Sequence, residues 1–218
     1  MDSYRSRRWI AGAVSTVLAG VLSLAVATPA RAAVIELTSG HVDIIDVNHA
    51  AGGPIVVSVH DDTGATSVER DPSTVVFRVP AAAYTAVPSG SAWSFLGSGG
   101  HAYVLPQTNT AGLLWAGWNT TEVASGALQN NRVVFRLTNV QGPGGFSVFT
   151  ASGGTPTVLF DSGDGLPDNL NVNRNVHAHL NWGFDVAGTY VATFEVSGVR
   201  AANGQTVSTT KDFTFQVG

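Results

Sequence analysis

The chain has 218 residues, 44% of them hydrophobic and only 12% charged, with 25 glycines, 9 prolines and no cysteine. That composition folds rather than staying disordered, and the lack of cysteine excludes disulfides, thiolate metal sites, iron–sulfur clusters and cysteine nucleophiles. The formal net charge is −4 and no clustered basic face is visible, which argues against a nucleic-acid partner.

Residues 1–32 run from a basic start (Arg5, Arg7, Arg8) through an apolar stretch, Trp9 to Ala27, to Pro29-Ala30-Arg31-Ala32-Ala33. This is the pattern of a secretory signal peptide with cleavage before Ala33. Removing it takes away four arginines and one aspartate, leaving a mature chain of about −7. The arginine pair in Ser6-Arg7-Arg8-Trp9-Ile10 also suits a twin-arginine signal, although any basic start can hold such a pair. No later apolar segment reaches the roughly 18 residues a membrane helix needs, so the mature protein is expected outside the cell and not embedded in the membrane.

From residue 33 onward the pattern is strands and turns. Candidate strands are Val34 to Leu37, Val42 to Val47, Ile55 to Val59, Val75 to Val79, Ala102 to Leu105, Phe146 to Phe149 and Thr157 to Phe160. Three period-two runs are clearer still: Val133, Phe135 and Leu137; Tyr190, Ala192, Phe194 and Val196; and Phe213, Phe215 and Val217. Glycine-rich turns separate them, and Asn203-Gly204 between the last two runs signals a hairpin. Helical periodicity is absent beyond one short turn at Ala81 to Tyr84. The expected class is all-β: an antiparallel, immunoglobulin-like β-sandwich formed as one domain by residues 33–218. A two-lobed arrangement with a boundary near Asn130 is the alternative.

All six histidines, His41, His49, His60, His101, His177 and His179, follow the cleavage site. In His177-Ala178-His179 both imidazoles leave the same strand face about 6–7 Å apart, and can share a zinc, manganese or copper ion if another strand supplies a further ligand. His41-Val42-Asp43 repeats the spacing with a carboxylate, and His101 precedes a candidate strand. The expected metal site is therefore His41, Asp43, His101, His177 and His179, against the plainer reading of solvent-facing polar positions. Trp115, Trp118 and Trp182 can stack on a ligand such as a sugar if exposed, although core packing is the commoner use of tryptophan in a sandwich. Asp161-Ser162-Gly163-Asp164-Gly165-Leu166-Pro167-Asp168 lacks EF-hand spacing and reads as a polar hairpin turn. No G-x-S-x-G, H-E-x-x-H or phosphate loop occurs, so a non-enzymatic protein is expected.

The segment 177–218 carries His177, His179, Asn181-Trp182, Phe184, Gly188-Thr189-Tyr190, Phe194, Val196, Gly204 and a closing Phe213-Thr214-Phe215-Gln216-Val217-Gly218. In this it resembles the actinobacterial surface-anchored protein repeat, also called the choice-of-anchor M domain. Gly40-His41-Val42-Asp43, Leu96-Gly97, Val104-Leu105-Pro106-Gln107, Leu114-Trp115-Ala116-Gly117-Trp118 and Gly142-Pro143-Gly144 are similar to its longer pattern. The resemblance implies a secreted cell-surface ligand-binding protein. It also implies association with the binding component of an ABC transporter of the metal-uptake type, and so favours the histidine site. The chain departs from anchored members in having one repeat and no sorting signal. The alternative function is an extracellular adhesion or carbohydrate-binding module using the tryptophans.

Overall fold

In the computed structural model the described residues are Met1 and residues 33–218; apart from Met1, the expected signal peptide lies outside them. The strands are β1 (Ile35–Leu37), β2 (Gly40–Asn48), β3 (Val56–Asp62), β4 (Val68–Arg70), β5 (Val75–Val79), β6 (Tyr84–Ala86), β7 (His101–Leu105) and β8 (Leu114–Asn119). They continue with β9 (Arg132–Gln141), β10 (Phe146–Ser152), β11 (Thr155–Asp161), β12 (Asp168–Asn173), β13 (His177–His179), β14 (Asn181–Phe184), β15 (Gly188–Val199) and β16 (Thr206–Val217).

The protein is all-β. Its strands form a six-stranded sheet, β1-β5-β16-β15-β9-β12, and two five-stranded sheets, β11-β10-β14-β7-β6 and β13-β8-β2-β3-β4. The alternating runs behave as their period requires. Val133, Phe135 and Leu137 on β9 are buried, as are Tyr190, Ala192, Phe194 and Val196 on β15 and Phe213, Phe215 and Val217 on β16. β15 and β16 pair antiparallel from Gly188↔Val217 to Val199↔Thr206, and Gly204 in the connecting turn takes a φ of 71°.

Aromatic side chains join the three sheets in one core. Phe215 packs on Phe77 of its own sheet and on Phe146, Trp182 and Phe184 of the second. Trp118 of the third sheet stands edge-on to Phe135 and Phe160. Each such buried ring contributes about 1.5–3 kcal/mol through removal of apolar surface from water. Residues 33–218 thus form one compact unit.

Three expectations are corrected. The first and third sheets are mixed rather than purely antiparallel, because β1/β5, β5/β16 and β2/β8 pair in parallel, while the second is antiparallel throughout. Local periodicity shows which side of a strand is buried but not which distant strand lies beside it. The Asp161 to Asp168 stretch is not a hairpin turn: it connects β11 and β12, which lie in different sheets, and Asp168 Oδ2 accepts the Asp161 amide at 2.7 Å. Leu114 to Asn119, absent from the expected strands, is strand β8, lying between β13 and β2 in the third sheet.

Candidate metal centre

The third sheet brings three distant stretches of sequence side by side. β8 runs parallel to β2 on one side and antiparallel to β13 on the other, with registers His41↔Trp115, Asp43↔Gly117, His177↔Asn119 and His179↔Gly117. Alternation along β2 and β8 then divides the residues. Val42, Ala116 and Trp118 are buried towards the core, while His41, Asp43, Trp115, Gly117, His177 and His179 share the opposite face.

β13 is only three residues long and forms an edge of its sheet, yet its backbone is fastened at both ends. Thr120 Oγ1 accepts the Val176 amide at 3.0 Å and donates to the Asn173 carbonyl at 2.8 Å. Beyond the strand, the Leu180 amide donates to the Ala116 carbonyl at 3.2 Å.

On this face His41, Asp43, His177 and His179 each offer one ligand atom, and the four atoms lie within 4.8 Å of one another. His177 Nε2 is 3.0 Å from Asp43 Oδ1 and 3.3 Å from His41 Nε2, and His41 Nε2 is 4.0 Å from Asp43 Oδ1. A tetrahedral ion with bonds of about 2.0–2.1 Å needs ligand atoms about 3.3 Å apart. The two shorter separations are close to that edge, and the others, none above 4.8 Å, would have to contract by up to about 1.5 Å on binding.

The state of each ligand follows from its surroundings. Asp43 is 1% exposed; burial raises its pKa, and His177 and His41 pull it back down. His179 is held down at about 4, first by burial and then by the neighbouring His41 and His177, so at neutral pH it is an uncharged imidazole with a free lone pair. Neither His179 ring nitrogen makes a hydrogen bond of normal geometry among the described residues, although the nearby backbone of Ala116 and Trp115 pulls its pKa partly back up and both nitrogens are shielded from solvent. Leaving a buried polar atom unpaired costs about 1–3 kcal/mol, and a bound cation would remove that cost. Trp115 fixes the ring plane. Its indole stacks on His179 at 3.7 Å between centroids, and its Nε1 donates to the Gln107 carbonyl at 2.9 Å.

Gly117 explains why the ligands can converge. A Cβ there would stand 2.8 Å from Asp43 Oδ1, 2.9 Å from His179 Nδ1 and 2.6 Å from the Ala178 carbonyl oxygen. Any larger residue would fill the space between the ligands.

A second row of acids and imidazoles supports the first. His41 Nδ1 lies 3.1 Å from Asp62 Oδ2, and Asp62 has its pKa lowered by the Ser67 hydroxyl and by His41. An ionised carboxylate can only accept, so His41 carries its proton on Nδ1 and turns the Nε2 lone pair towards the cluster. Asp62 Oδ2 also meets His60 Nε2 at 3.2 Å, and His60 Nδ1 bonds Glu69, which raises the His60 pKa. A carboxylate behind a histidine is the usual outer support of a metal ligand.

Of the expected site residues, His41, Asp43, His177 and His179 are therefore brought together, and His101 is not. His101 lies exposed on β7 in a different sheet, stacked on Tyr84 at 5.1 Å. The ligand-stacking tryptophans are corrected as well. Trp118 is 4% exposed and Trp182 fully buried, so both are core residues, and Trp115 faces His179. His60, Asp62 and Gly117 were missed, though His60-Asp61-Asp62 repeats the two-residue spacing of His41-Val42-Asp43.

No family model matches the chain, and comparison with curated proteins and with solved structures finds no match either.

Proposed function

We propose that the protein binds a divalent metal ion through His41, Asp43, His177 and His179. The observation that carries this reading is His179: a shielded, neutral imidazole with no hydrogen bond of normal geometry, grouped with a carboxylate and two further imidazoles. Three imidazoles and one carboxylate suit zinc or copper better than calcium or magnesium, which prefer all-oxygen sets; manganese, with its greater liking for carboxylate, ranks third.

The role around this site is a non-enzymatic one at the cell surface, in which the protein holds the ion for an ABC transporter's binding component. The leader-like N-terminus and the resemblance to the surface-anchored repeat support it. The carbohydrate-binding alternative has lost Trp118 and Trp182 to the core.

Metal analysis of purified protein beside the His177→Ala/His179→Ala double variant tests the reading. Stoichiometric zinc or copper in the wild type and its loss in the variant are expected. Equal and negligible zinc, manganese and copper in both would overturn it.

A further inference from the structure

We infer that His177 is the exchange ligand of this centre: the ion enters and leaves through that one side chain, as cargo, while His41, Asp43 and His179 stay in place. The inference rests on the metal reading above and concerns how the site is loaded.

The four ligands are held very unequally. Asp43 is buried at 1% exposure, on the strand between β8 and β3. His41 is tied through Nδ1 to Asp62, which is itself bonded to Ser67 and His60. His179 is clamped flat against Trp115, whose indole is bonded to the backbone at Gln107. His41 and His179 thus have side-chain supports outside the cluster, and Asp43 is confined by burial.

His177 has none among the described residues. Its side chain is 44% exposed, against 21% for His41 and 2% for Asp43, and its hydrogen bonds go only to Asp43 and His41. Both of those partners are co-ligands, and an arriving ion would replace the contacts. The strand beneath it does not need to move, because Thr120 and the Leu180 amide fasten β13 on either side. Opening the site is then a rotation of one exposed side chain once its bond to the ion has broken, rather than an unfolding step. Structural zinc sites are closed on all four sides and keep every ligand fixed. Here one quarter of the shell is a hinged side chain facing solvent.

Rapid mixing of the zinc-loaded full chain with a strong chelator, alongside equilibrium zinc titration, tests this. In the wild type, release is expected to be far faster than global unfolding followed by circular dichroism. His177→Ala is expected to keep binding zinc, weakened by about 10–100-fold as when an outer support is lost, with nearly all of the loss in a faster release rate. His179→Ala and the shape-conserving Asp43→Asn are expected to abolish detectable binding. The inference is overturned if His177→Ala abolishes binding as completely as Asp43→Asn, or if wild-type release keeps pace with unfolding. A wild type that binds no ion at all would instead overturn the metal reading itself.

Discussion

The Trp115 indole and the His179 imidazole lie face to face, 3.7 Å between centroids and 14° from parallel, while Trp115 also meets His41 edge-on at 5.4 Å. The tryptophan therefore sits against two of the four proposed ligands. Trp118 and Trp182, by contrast, are sealed in the core.

This contact makes Trp115 an optical reporter. Coordination places positive charge on the ring it stacks against, which alters emission from the indole. Titration with zinc is expected to change tryptophan fluorescence in a saturable way, and Trp115→Phe is expected to lose the change while still binding the ion by calorimetry. An undiminished response in Trp115→Phe would show that the stacked pair is not what the ion touches.

Gly117→Ala tests the space between the ligands without altering any of them. The added methyl meets Asp43 Oδ1, His179 Nδ1 and the Ala178 carbonyl, all closer than 3.0 Å. Because one of these is backbone, β13 has to shift, at a stability cost of about 1–3 kcal/mol as for other overpacked sites. A lower melting temperature and loss of zinc affinity are expected together. Wild-type affinity in Gly117→Ala would show that the ligands converge somewhere else.

How much of this was legible depended on distance along the chain. His177-x-His179 and His41-x-Asp43 could be read because a strand returns to the same face every second residue, and both pairs do face one way. That His101 lies in another sheet could not be read, since nothing local in His101 to Leu105 says which strands flank it. Trp115 and Trp118 show the same limit from the other side. Three residues apart on a strand, they point to opposite faces, but that inference needed β8 to be recognised as a strand, and its run of Leu114-Trp115-Ala116-Gly117-Trp118 lacks the polar alternation that marks one. Gly117 was invisible as a site residue because its contribution is the absence of a side chain.

Bound ion should stabilise the fold by mass action. At a free zinc concentration 100 times the Kd the gain is about 2.7 kcal/mol, which for a chain of this size raises Tm by about 5–10 °C. Differential scanning calorimetry with and without zinc checks this, with chelator restoring the lower value. Asp43→Asn should show no shift, and a full shift in that variant would remove Asp43 from the ligand set.

Asp46 carries a pH dependence of its own. It is 2% exposed, its Oδ1 is unpaired, and its pKa is pushed up to about 6 from 3.8, chiefly by burial and then by the nearby Glu69 charge. Between pH 3.8 and about 6 the unfolded chain gives up this proton while the folded one keeps it, so this carboxyl lowers stability as pH rises through that window. The loss, complete above the window, is on the order of 2–3 kcal/mol. Asp46→Asn is therefore expected to stabilise the protein at pH 8 and to make little difference at pH 4, measured by urea unfolding at each pH. Equal effects at both would show that the carboxyl does not change charge there.

The contact between Asp43 and His177 spans 134 positions of the chain. An ion bound to both would join the ends of that loop in the folded chain, and because it leaves on unfolding, its stabilisation is the mass-action gain set by free ion over Kd rather than the chain-entropy gain of a covalent bridge. A protein without cysteine has no permanent staple of this kind. Here the staple would be set and withdrawn by the concentration of the ion, so that the loaded protein is the tighter fold and the emptied one the looser.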